Sequence, residues 1–299
     1  MRSLLLSVLT LHLVSCLSMG SACNAQPATF SQLANLMKFE RDKVRSFDVE
    51  FSQDLTDKIR GARSVVSGQI VADKDAQVLY LKQVKNQLDS QSLRSGIDPS
   101  RIDRLNNRLL HLLQCPSGIV SMFDREPPLL LSEAGTSPRG DIDHSLFDVQ
   151  SLGLAVHGDM NAKFHHDIVL SNLMDWNEPV LTLENGLISC DFGVLKYLID
   201  PATGYWPIAH EYQMSVVKGT LKSAIMSRCE VSLTEVNGKW LPQTVTMETE
   251  RTVTEIALHW NSVNRDLEDR FTNVFAFADS TGKPLLRVDS DGYRRPVVP

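Results

Sequence analysis

The sequence predicts a mainly β protein with some α: an open, strongly curved antiparallel barrel whose helices cover the concave side. Three observations carry this. Val180 to Phe277 reads as a nearly unbroken antiparallel meander of apolar and β-branched runs. Two Asn-Gly pairs, Asn185-Gly186 and Asn237-Gly238, punctuate it, and Asn-Gly supplies the two positive φ values of a type I′ hairpin. Far upstream, Phe47, Val49 and Phe51 alternate with Asp48, Glu50 and Ser52, the period of a half-buried strand.

The elements follow in order. Met1-Arg2-Ser3 is a short positive start, and Leu4 to Val14 is an apolar stretch too short to span a bilayer, so residues 1–25 read as a signal peptide. Cys23-Asn24-Ala25 sets small residues for ordinary cleavage after Ala25. Leu13-Val14-Ser15-Cys16 offers the other route, lipidation of Cys16 and a membrane anchor. Residues 26–299 then form a single domain, periplasmic by the first route and membrane-anchored by the second. Thr29 and Gln32 make a capping box that opens a helix, with Phe30, Leu33, Leu36, Met37 and Val44 on one face. Val65 to Ala72 and Gln77 to Val84 form a hairpin around the polar turn Asp73-Lys74-Asp75. A second helix is expected from Pro99 to Gln114, capped by Asp98 and stopped by Pro116, inside a helical insertion at about 85–115. Its apolar stripe is Ile102, Leu105, Leu109 and Leu112, and Arg101, Arg104 and Arg108 share the other side. Gly118 to Phe123 is a strand, Glu126 to Gly140 is loop-rich and is where any domain boundary falls, and Ile168 to Trp176 is a short helix ended by Pro179.

Composition narrows the function. The formal net charge is −6, and loss of the leader removes Arg2 and leaves the chain more acidic, which argues against a nucleic-acid partner. Cys115, Cys190 and Cys229 remain after cleavage, an odd number without CxxC spacing, and read as buried apolar thiols. A Cys190–Cys229 bridge requires the sheet to curl. No Gly-x-Ser-x-Gly elbow, phosphate-binding loop or His-Glu-x-x-His pattern is present. His165-His166-Asp167 is the most ligand-like cluster, yet adjacent histidines diverge on strand or helix, so no metal and no cofactor is expected. A hydrolase site assembled from His165, Asp167 and His210 is the enzyme alternative, and the leading reading is non-catalytic.

Function then falls to the sheet interior. If the strands curl, alternate residues line an apolar cavity suited to acyl chains. The candidates are Phe47, Val49, Phe51, Leu79, Leu81, Ile225, Val231, Leu233, Ile256 and Leu258, and Leu33, Leu36 and Met37 belong to a helix that acts as a lid or as permanent packing. Each has ordinary core as its plainer explanation.

The leader, the helix before a Phe-x-Val-x-Phe strand, Gly68-Gln69-Ile70-Val71 on a hairpin, the turn segment Leu198 to Pro207 and Trp260-Asn261-Ser262-Val263-Asn264 together resemble the outer-membrane lipoprotein-sorting proteins of the LolA and LolB type. The resemblance covers roughly Phe30 to Asp291. It implies an open β-barrel closed on one side by helices, with an apolar cavity that receives an acyl lipid or a lipoprotein in the envelope. The LolB type is itself a lipoprotein, which bears on Cys16. Relatives of this fold also act as envelope sensors, so an envelope protein partner is the alternative. Both motifs also have folding explanations: Pro201 and Gly204 suit a turn, and Asn264 is placed to cap a helical turn over Arg265 to Arg270.

Overall fold

The computed structural model describes residues 27–88, 108–123, 129–132, 149, 152–154, 166–175, 177–218, 221–288 and 293–297. The expected leader at 1–25 and His165 lie outside them. Helix α1 (Phe30–Asp42) is capped as its sequence dictates: Thr29 Oγ1 accepts from the Gln32 N–H, and Gln32 Oε1 accepts from the Ala28 N–H. Strands β1 (Ser46–Asp57), β2 (Arg63–Asp73) and β3 (Val78–Leu88) follow as a meander.

β4 (Arg108–Cys115) is where the expected second helix fails. Leu109, Leu110, Leu112 and Leu113 fit a helical stripe, but such a run also suits a strand buried on both faces. β4 lies between β3 and β5 (Gly118–Phe123); Leu112 packs on one face and Leu113 on the other. The 99–107 part of that helix lies outside the described residues. β6 (Leu129–Ser132), inside the segment expected to be loop, pairs with β5 and continues the sheet.

Helix α2 (His166–Met174) precedes the second meander: β7 (Val180–Glu184), β8 (Leu187–Asp191), β9 (Leu195–Asp200), β10 (Trp206–Lys218), β11 (Leu221–Val236), β12 (Lys239–Thr249) and β13 (Thr252–Val263). Both Asn-Gly turns take positive φ at each position, 53° and 83° at Asn185-Gly186 and 51° and 71° at Asn237-Gly238. The meander ends at Val263 rather than Phe277. Helix α3 (Val274–Thr281) occupies the remainder, before β14 (Leu285–Val288) and β15 (Arg294–Pro296). Asn264 caps no helix. At φ 54° it clamps the α1–β1 link, accepting from the Arg45 N–H at 2.8 Å and donating from Nδ2 to the Lys43 carbonyl at 2.8 Å.

Among the described residues the strands form one 15-stranded sheet, antiparallel except where β14 runs parallel to β6. Within that set β15 and β7 are its edges, and β1 pairs β13 at its centre. The expectation of a strongly curled barrel is corrected to an open sheet that is neither closed nor strongly curled. The helices divide between its faces. On the front face, which carries Phe47, Val49 and Phe51, α1 and α2 pack over β8 and β9. On the back face α3 packs over Val71, Tyr80, Leu113 and Val120.

Candidate functional site

The front face carries two apolar clusters side by side. The larger brings together Phe47, Val49 and Phe51 from β1, Ile70 from β2, Leu81 from β3, Leu112 from β4, Val231 from β11, and Ile256 and Leu258 from β13, with Leu79 and Leu233 half-buried against it. Every predicted lining residue whose side chain is described therefore falls in one contiguous group. Ile225 sits on β11 opposite Met214, and its side chain lies outside the described set. Cross-strand register explains the grouping: Val49, Ile70, Leu81 and Leu112 are successive partners across four strands, and residues directly opposite share a face.

The second cluster joins Phe30, Leu33, Ala34 and Met37 of α1 and Leu170 and Leu173 of α2 to Ile188, Cys190, Leu195, Tyr197 and Ile199 of β8 and β9. Leu33 and Met37 are thus buried at the β8–β9 end of the sheet, and Leu36 is half-buried. The predicted lid residues do not join the Phe47 and Leu81 cluster. Arg41 lies at the border, buried, with Nη1 donating to the Met37 carbonyl at 3.0 Å and its guanidinium 4.1 Å from the Trp206 ring centre.

Between the clusters lies a strap, Leu152-Gly153-Leu154. Leu152 packs into the larger cluster with Val149, and Leu154 packs into the second. Two side chains from neighbouring strands hold its backbone. The Tyr197 hydroxyl donates to the Leu154 carbonyl at 2.7 Å, and His210 Nδ1 sits 3.0 Å from the Gly153 carbonyl. Tyr197 and His210 are direct cross-strand partners and their rings meet edge to face, centroids 5.5 Å apart. Only glycine fits between the leucines: Gly153 has φ +82°, and a Cβ there would lie 2.9 Å from Val231 Cγ2 and 3.1 Å from the Pro207 carbonyl. Burial pushes the Tyr197 phenol well above its ordinary range, so it remains a donor.

Cys190, Tyr197, His210 and Cys229 form one cross-strand row, with β9 and β10 between the two thiols. Both cysteines are free and buried, and burial pushes each thiol up to about 12, which leaves them unreactive apolar packing. Cys115 is likewise free and buried.

Of the enzyme alternative, His210 is 2% exposed and engaged with Gly153, and the side chain of Asp167 lies outside the described set. Among the described residues no group of three or more His, Cys, Asp or Glu is placed to hold a metal ion. Two further clefts are found among the described residues. One of about 430 Å³ is lined by Glu50, Ser52, Gln69, Lys82 and His259 together with Phe51 and Leu258. One of about 300 Å³ lies beside the Pro201–Trp206 turn, with Glu40 and Trp240.

Val149, the strap, and the Tyr197–His210 staple are the parts that sequence reasoning missed. Alternation of Leu195, Tyr197 and Ile199 does put Tyr197 on the core face. Nothing local, however, marks which backbone carbonyl its hydroxyl reaches.

Fold and site together define a mainly β protein whose one open sheet carries a broad apolar front face beneath the Leu152–Leu154 backbone strap. No protein-family model matches the chain, and no curated protein matches it. Among solved structures it is similar to a LolA superfamily protein from Nitrosomonas europaea, at 12% identity and a TM-score of 0.40, over 83% of this chain and 100% of that one. It is similar also to a DUF1329 family protein from Desulfovibrio piger, at 11% identity and a TM-score of 0.45, over 83% and 97%. A chain of the Pseudomonas aeruginosa MucA/MucB complex matches at 9% identity and a TM-score of 0.25, over 76% and 93%.

Proposed function

We propose that this protein binds, without catalysis, the acyl chain of a lipid or lipidated protein on the front face of its sheet. The observation that carries the reading is the strap: two leucines, one laid on each of the two neighbouring apolar clusters of the front face, held there through backbone carbonyls that Tyr197 and His210 reach. An acyl chain replaces leucine side chains like for like. Each methylene it buries contributes about 0.8 kcal/mol, so a chain of several methylenes offsets the loss of the Leu152 and Leu154 contacts. Phe47, Val49, Phe51, Leu79, Leu81, Val231, Leu233, Ile256 and Leu258 form the floor, with Ile225 beyond them on β11. The leader at 1–25 supports a place in the cell envelope, soluble or tethered through Cys16, where lipidated proteins are the partners at hand.

Equilibrium binding of a fluorescent sixteen-carbon fatty acid tests this. Leu79→Asn and Leu233→Asn, at half-buried floor positions, are expected to weaken binding at least tenfold with unchanged circular dichroism. Binding that is absent in the wild type, or indifferent to both variants, refutes the reading.

A further inference from the structure

The two edges of the sheet are built oppositely. β15 is three exposed residues, Arg294–Pro296, and a short, charged, proline-bearing edge resists further strand pairing. β7 carries neither proline nor a basic residue between Val180 and Glu184, and Val180 and Leu183 are 66% and 51% exposed. Its hairpin with β8 fixes where its backbone points. The two-residue Asn185-Gly186 loop makes the closing Glu184–Leu187 pair hydrogen-bonded, and so too the alternate pairs Thr182–Ser189 and Val180–Asp191. The N–H and C=O groups of Leu181 and Leu183 therefore point away from β8, off the edge.

We propose that β7 pairs antiparallel with β7 of a second copy of this chain, about a two-fold axis at Thr182, so that two sheets join into one. In this register Leu181 of each copy meets Leu183 of the other, and the outward backbone groups of both residues are used. Leu181 and Leu183 face the same way as their partners Cys190 and Ile188, which are buried, so the two leucine pairs extend the apolar front face across the axis. On the back face Thr182 meets Thr182, and Glu184 meets Val180. No carboxylate faces a carboxylate. Moving the axis to Leu181 sets Leu183 against Pro179, which has no N–H. The segment is thus self-complementary, as a two-fold contact requires. Five residues a side bury less than the roughly 800 Å² per partner of a standard interface, so association is concentration-dependent.

Sedimentation velocity of the whole protein over a hundredfold dilution, with three variants, tests the proposal. Leu183→Pro removes an outward N–H and leaves the β8 ladder intact, and is expected to weaken the dimer at least tenfold. Thr182→Cys puts thiols opposite one another at a position not hydrogen-bonded across the axis, and is expected to cross-link on mild oxidation, whereas Val180→Cys is not; Cys115, Cys190 and Cys229 are buried and silent. If Leu183→Pro fails to fold, the cysteine pair decides. A wild type that stays monomeric, even one that captures a strand of some other protein at β7, overturns the second-copy assignment. So does a dimer that survives Leu183→Pro or cross-links equally through Val180→Cys.

Discussion

Tyr197→Phe removes one oxygen and leaves the ring in its edge-to-face contacts with His210 and Phe192. The lost hydroxyl is the donor to the Leu154 carbonyl at 2.7 Å, in a buried setting. Deleting a neutral hydrogen bond and stranding a buried acceptor costs about 1–3 kcal/mol. If an acyl chain reaches the front face only when the strap lifts, the same free energy appears in binding with opposite sign. The competent fraction rises as the strap weakens, and apparent affinity with it, by about tenfold for 1.4 kcal/mol. The variant is therefore less stable in urea and a tighter binder in fatty-acid titration. Tyr80→Phe is the control. Its hydroxyl lies 3.0 Å from His111 Nδ1 on the back face under α3, so its loss lowers stability and leaves binding unchanged. Affinity that is unchanged or weaker in Tyr197→Phe, alongside the stability loss, refutes the reasoning: the strap is then permanent core.

Two further outcomes follow from the sheet itself. Gly68→Ala sets a Cβ 2.0 Å from the Lys82 carbonyl oxygen and 2.8 Å from Phe51 Cε1, so both the β2–β3 ladder and the front-face floor must shift; a loss of about 3 kcal/mol or more is expected in urea denaturation. His111 is held down to about 4, first by burial and then by Lys82 and Lys283, against an ordinary value of 6.5. Between those values the unfolded chain binds a proton that the folded one refuses. Its contribution is therefore complete above pH 6.5 and is lost as the pH falls toward 4, and urea midpoints at pH 7 and pH 4.5 should differ less in His111→Phe than in the wild type.

The strands were legible wherever one face is polar. Phe47-Asp48-Val49-Glu50-Phe51 and Leu195 to Ile199 alternate because water meets the other side, and both Asn-Gly turns announce themselves through backbone conformations that few residues accept. Legibility fails at β4, where apolar residues on both sides erase the period of two and leave a run that a helix fits equally well. It fails again at β6, whose four residues are too few for any period. The floor of the candidate site followed from alternation, because register across β1 to β4 and β11 to β13 puts in-phase residues on one face. The strap did not follow. Gly153 is glycine because Val231 and Pro207, far along the chain, leave no room for a Cβ, and only the folded sheet brings them there.

Native mass spectrometry of the protein purified from the cells that make it, with lipid extraction of the same sample, tests the central claim most directly. The account predicts co-purifying acyl lipid or lipidated protein, carried in greater amount by Tyr197→Phe and lost in Leu79→Asn. A protein that is purified without ligand, and whose Tyr197→Phe form is too, contradicts it.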